Sequence, residues 1–251
     1  MPKKKQSNND PVLSLDPEKG PFTQTEQNAL HQWLHEQFSH NKIDAERYFY
    51  VRLMMIYGQR GVQLRMMVFD DFIKCDHGCK IRIYWAKQRN DDAAGFRAKS
   101  EIFNLDEDLF DSIMAYKVDV LERIKQAYPG RADWDKAIKH VPLFRRKLAE
   151  KCTYYNHAQI PVLLDDPDHK VLEDAPNPLF HAQAGSIHAW LECMECMPDF
   201  PISPRTHLPL KISRGHRFRY TLGTDLSNAG MDEWVLARAL MQVNTKSVRK
   251  Y

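Results

Sequence analysis

No apolar run in this chain approaches the roughly 18 residues that a membrane-crossing helix needs. The opening Met1 to Asn9 (MPKKKQSNN) also lacks the apolar stretch of a secretion signal. A cytoplasmic protein is expected, with no membrane partner. Cysteine is sparse: there are five, an odd number, in a chain too large to need disulfide staples, so reduced thiols are expected. Charge of one sign is not in excess either. Lys and Arg number 36 against 33 Asp and Glu, for a net charge of +3. This permits nucleic-acid binding without demanding it, because local patches decide the matter. There is no internal repeat and no low-complexity block.

What is present is core-forming material. Hydrophobic residues make up 43% and aromatics 11% of 251 residues, enough for one large domain or two small ones and too much for a disordered chain. Residues 1–20 are polar, with Pro2, Pro11 and Pro17, and read as a flexible lead whose Lys3-Lys4-Lys5 run is a solvated tail or a phosphate contact. Thr23 and Glu26 have capping-box spacing ahead of Leu30, Leu34 and Phe38 at helical intervals. A second helix is predicted from Asp44 to Tyr57, ending at Gly58. Val68 to Lys74 and Lys80 to Lys87 read as strands joined by the turn Asp76-His77-Gly78. A third strand ends near Ile102-Phe103, and Leu109, Ile113, Tyr116, Val120 and Ile124 mark a further helix. Residues 129–210 are rich in proline, with helices expected at Lys136 to Cys152 and Ser186 to Met197. Two more helices follow, one from His216 to Asn228 with Gly230 placed to end it, one from Asp232 to Met241.

Four stretches carry chemistry: Tyr57 to Leu64 (YGQRGVQL) at a helix end, Tyr84 to Arg89 (YWAKQR) at a strand end, Gly215 to Thr221 (GHRFRYT) opening a helix, and Leu240 to Tyr251 (LMQVNTKSVRKY). Metal-free cleavage of a DNA phosphodiester needs a nucleophile in line with phosphorus. It also needs cations on the non-bridging oxygens and an acid for the departing 5′ oxygen. Arginine suits the second task because its planar fork makes two parallel bonds to phosphate and stays charged. Lysine suits the third. Tyrosine suits the first, because its phenolate is also a fair leaving group and the strand can be rejoined.

These stretches resemble the tyrosine recombinase (phage integrase) family in order and spacing. GQRGVQL is similar to the first arginine box (such as TGLRISEL) and gives Arg60. IYWAKQRND is similar to the strand-end lysine and gives Lys87, with Lys99 on the next strand as a rival. HRFRYT resembles the H-x-x-R-H-T box and gives His216 and Arg219. LMQVNTKSVRKY resembles the LGHSSIxTTxxY tail and gives Tyr251 as nucleophile, eleven positions after Leu240, with Gln242 in the place of a histidine or tryptophan. Gln63 and Tyr220 are further departures, standing where the family has an acidic residue and a histidine.

The resemblance covers residues 22–125 and 205–251. It implies a mainly α fold with a small antiparallel β-sheet (α+β), a catalytic domain over 21–251 with an atypical insert at 129–210, and no cofactor. The implied function is site-specific DNA breakage and rejoining through a 3′-phosphotyrosyl intermediate. Its implied partners are double-stranded DNA and, on DNA, copies of itself or related recombinase subunits, with a monomer expected in its absence. Two rivals share the fold or the chemistry: a type IB topoisomerase, and a catalytically inactive DNA-binding or assembly factor. Cys75, His77 and Cys79 with Cys193 and Cys196 would make a zinc site only if the two groups met in space. No metal site is expected.

Overall fold

Thr23 opens the first helix by a reciprocal cap. Its Oγ1 accepts from the Glu26 N–H at 3.3 Å, while Glu26 Oε2 accepts from the Thr23 N–H at 2.9 Å, satisfying two amides that a helix start leaves without partners. In this computed structural model, which describes residues 10–86, 97, 99–127, 134–145 and 181–251, the helices and strands follow in order. They are α1 Gln24–Ser39, α2 Ala45–Tyr57, α3 Gly61–Arg65, β1 Phe72–Cys75, β2 Gly78–Tyr84, β3 Ser100–Asn104, α4 Glu107–Ala127, α5 Trp134–Ala137, α6 Ala184–Glu195, α7 His216–Asn228 and α8 Glu233–Ala239. The class is therefore mixed, helical with one small three-stranded antiparallel sheet. No described helix is long and apolar enough to cross a membrane.

The chain divides into two compact units, Met1–Arg60 with His188–Tyr251, and Gly61–Ile187. In the first, α1 and α7 pack on α2, and α8 packs on α7. Asp44 caps α2 through the Arg47 N–H, and Gly58 ends it in the left-handed region at φ 55°. Leu30, Leu34, Phe49, Val51 and Leu53 are buried in this unit. The segment expected to be a flexible lead is packed where it is described. Residues 10–20 form turns and Val12 is buried. The reason lies on α7: Arg217, 1% exposed, donates from Nε to the Gly20 carbonyl at 2.9 Å and from Nη2 to the Pro17 carbonyl at 3.0 Å. One turn further, Thr221 Oγ1 accepts from the Phe22 N–H at 2.8 Å. Met1 to Asn9, with the three lysines, lies outside the described residues.

In the second unit the strand order is β1-β2-β3. Phe72 stands opposite Ile81, and Ile81 opposite Phe103. Cys79, Ile81 and Ile83 alternate inward on β2, as period-two patterning requires. Two elements differ from the sequence-based expectation. The first strand begins at Phe72 rather than Val68, because Asp71 Oδ2 accepts from the Val68 N–H at 3.0 Å and closes residues 69–71 into a 3₁₀ turn. The helix expected from Lys136 stops at Ala137, followed by one 3₁₀ turn to His140. Pro142 lacks an N–H and its ring would clash with the preceding turn, and the chain runs on past an isolated bridge to Val68. Residues 146–152 of that expected helix lie outside the described residues.

Candidate active site

The end of α2 starts the site. Gly58 turns the chain with a positive φ, and a Cβ there would sit 3.2 Å from both the Arg219 Cα and the Leu222 side chain. The next residue, Gln59, is buried. Its Nε2 donates to the carbonyls of Tyr57 and Ala239, each at 2.9 Å, joining the end of α2 to the end of α8. Arg60 follows and is half-buried.

From the first turn of α7, Arg219 reaches the same place. It is 4% exposed, and its Nη1 donates to the Gly58 carbonyl at 3.2 Å while Nη2 donates to the Leu240 carbonyl. Gly58 and Leu240 are the cap residues that end α2 and α8. The negative ends of two helix dipoles thus converge on one guanidinium, and carbonyls that a helix end leaves unsatisfied gain a charged donor. A guanidinium has five N–H donors, so two of them set its orientation.

Tyr251 is placed from the same helix. The stripe Arg219, Gly223, Ser227 runs along α7 at intervals of four residues. An added Cβ on Gly223 would stand 2.6 Å from Tyr251 Cε1 and 2.7 Å from Cζ, so the ring lies flat against bare backbone. Ser227 Oγ donates to the Tyr251 carbonyl at 3.1 Å, and the Tyr251 N–H bonds to the Val248 carbonyl at 3.1 Å. Leu222, Leu226 and Tyr251 pack against the cluster of Leu236, Ala237, Leu240 and Val248. Tyr220 stands beside it, its ring centroid 6.4 Å from that of Tyr251 and 6.2 Å from that of His216.

The electrostatics tie these groups together. Burial lowers the Arg219 guanidinium to about 10, and the Arg60 charge adds to the shift, while Tyr251 and Tyr220 oppose it. Arg60 is lowered as well, by burial, against the opposing influence of Tyr251. Burial pushes the Tyr251 phenol up to about 12 against the pull of Arg219 and Arg60, with Tyr220 and Asp10 pushing the same way as burial. His216 is lowered by burial, then by Arg219, Arg60 and Lys250. At neutral pH this set presents two desolvated guanidiniums, a neutral imidazole and a protonated phenol. Two like-charged arginines beside a phenol make a neighbourhood whose field favours an anion.

Arg60, His216, Arg219 and Tyr251 are thus brought together in one unit. Gln242 lies in that unit just after α8, half-buried, its N–H bonded to the Ala237 carbonyl at 2.7 Å. Among the described residues no hydrogen bond joins its side chain to the four. Lys87 lies outside the described residues. Lys99, its rival, sits in the other unit with Nζ 4.6 Å from the Trp85 ring centroid. Gln63 is fully buried there and donates to the Tyr84 carbonyl at 2.6 Å. Among the described residues no group of three or more His, Cys, Asp or Glu side chains is arranged to hold a metal ion. Gln59, Gly223, Ser227 and Lys250 were not singled out by sequence reasoning. Only Gly223 carried a usable signal, a glycine inside a helix, where it costs about 1 kcal/mol against alanine and so has a packing reason.

Neither a protein-family model nor a curated protein matches the chain.

Proposed function

We propose that this chain has the tyrosine recombinase catalytic fold and breaks and rejoins DNA strands through a 3′-phosphotyrosyl intermediate. One observation carries the reading. Arg60, Arg219 and Tyr251, drawn from three stretches of sequence, lie close enough that both guanidiniums act on the phenol, and the same two arginines disfavour the imidazolium of the more exposed His216.

In this reading Arg60 and Arg219 hold the non-bridging oxygens of the scissile phosphate. Tyr251 Oη attacks phosphorus, and its proton passes to the neutral His216 imidazole. The bond from phosphorus to the 5′ oxygen breaks, and that oxygen takes a proton from Lys87, the acid implied by the family resemblance. The phosphotyrosyl ester keeps the bond reactive, so a 5′-hydroxyl from the same or another duplex reverses the step and displaces the phenolate. Double-stranded DNA is the substrate, and copies of this chain or related subunits are the partners on it.

A second reading, an inactive DNA-binding factor, is favoured by the two bonds that hold Arg219 to backbone carbonyls inside the protein. The test that separates them uses a library of nicked duplexes with randomised sequence around the scissile position. A nick near that position lets the short 5′-hydroxyl fragment diffuse away and traps the adduct. Active protein becomes covalently joined to a 3′ phosphate, and sequencing the trapped DNA gives its site. Binding of the library without any adduct overturns the strand-cleaving reading in favour of the inactive factor.

A further inference from the structure

Lys250, immediately before Tyr251, is half-buried. Its Nζ lies 4.2 Å from the centroid of the Tyr220 ring and 5.4 Å from that of Tyr251. Desolvating an ammonium is costly unless an anion compensates. Among the described residues no carboxylate forms an ion pair with it, and none forms one with Arg219. Asp10, from the segment strapped to α7, attracts it from farther away, and Arg219 repels it. His216 and Tyr220 on α7 and Tyr251 also lie near it. Lys250 thus feels Arg219 as a like charge while its ammonium stands against the Tyr251 ring.

We infer that Lys250 is a third cationic ligand of the scissile phosphate, carried on the same stretch of chain as the nucleophile. The inference rests on the strand-cleaving reading above. Its geometric basis is the ammonium seated between two phenol faces, aimed by those rings rather than by a carboxylate. The two π faces hold the cation without neutralising it, which leaves its N–H donors to a phosphodiester oxygen. Because Lys250 and Tyr251 are adjacent, the contact would also fix the phosphorus relative to the attacking oxygen. This contact adds to the arginine pair and moves no proton of its own.

The competing explanation is mechanical: the ammonium clamps the last residues over α7 through its ring contacts. The two are separated by removing the charge on the phosphate. The trapped library sequence is made as a nicked duplex in two forms, one with an ordinary scissile phosphate and one with a methylphosphonate, whose methyl replaces a charged oxygen. Wild type, Lys250→Met and Lys250→Arg are compared in single-turnover adduct formation on both. The expected result is a loss of about 10- to 100-fold for Lys250→Met on the phosphate. On the methylphosphonate the loss should shrink to a few-fold, and Lys250→Arg should keep most of the wild-type rate on both. Equal losses on both substrates make Lys250 a clamp and overturn the proposal, as does an unchanged rate on the phosphate. Tyr251→Phe run alongside keeps the tests distinct: an adduct in that variant defeats the underlying assignment of the nucleophile, whatever Lys250 does.

Discussion

Arg219 does two things with one guanidinium. It closes the ends of α2 and α8 through the Gly58 and Leu240 carbonyls, and it supplies charge to the phenol beside it. Arg219→Ala should therefore lose cleavage rate by about 10²- to 10³-fold. It should also lose about 1–3 kcal/mol of stability for the two carbonyls left without a charged donor. Single-turnover adduct formation and urea denaturation measure the two effects; a stability unchanged by the substitution would contradict the second. His216 gives a pH signature. Its folded pKa lies below the ordinary 6.5 because burial and then Arg219, Arg60 and Lys250 disfavour the imidazolium. The unfolded chain thus takes up the proton first as pH falls. The stabilisation due to the neutral ring is complete above about pH 6.5 and is lost below it. His31 and His35, lowered by burial and by Arg52, act in the same direction. The urea midpoint should drop between about pH 7.5 and pH 5.5, and His216→Gln should reduce that drop. A drop of equal size in the variant would show that His216 is not part of this cationic neighbourhood.

At the scale of elements, α7 is the organising helix. One face straps residues 10–22 through Arg217 and Thr221. Another carries Arg219, Gly223 and Ser227 to the site. On helix propensity alone Gly223→Ala should stabilise α7 by about 1 kcal/mol. The new methyl would instead meet the Tyr251 ring at 2.6 Å, so the ring must move. A displaced nucleophile costs rate steeply, and a loss of about 100-fold in adduct formation is expected with DNA binding unchanged. A wild-type rate in this variant would mean that the seat does not set the position of the phenol. The same helices show what a sequence makes legible. Caps at Thr23, Asp44 and Gly58 and the apolar spacing of α1, α2, α4 and α7 mark their own boundaries, because those signals are local. The helix at Trp134 and the strand β1 differ from what local spacing predicts: Pro142 stops the first, and in the second Asp71 bonds back to the Val68 amide instead of leaving it to a strand. The seat at Gly223 and the ring contacts of Lys250 are tertiary, and no local pattern encodes them. Motif spacing points to Arg60, His216, Arg219 and Tyr251 as a set, and the fold places all four in one unit. The bonds by which Arg219 holds two helix ends were not legible, since a motif is silent on which carbonyl a guanidinium finds.

For the whole molecule, the first and last parts of the chain build one unit, Met1–Arg60 with His188–Tyr251, and that unit holds Arg60, His216, Arg219 and Tyr251 together. A discontinuous unit places residues far apart in sequence on one small surface. It sets Tyr251 beside a helix end contributed early in the chain. A net charge of only +3 means that, under the proposed function, phosphate would be recognised by local groups such as these rather than by a general basic field. The decisive measurement is the identity of the residue joined to DNA. Protein trapped on the nicked duplex library is digested, and the DNA-linked peptide is sequenced by mass spectrometry. Wild type should yield a peptide in which Tyr251 bears the 3′ phosphate. Tyr251→Phe should bind DNA and form no adduct, and Tyr220→Phe should still react. An adduct mapped to Tyr220 or to any residue other than Tyr251 would contradict the assignment of Tyr251 as the attacking group.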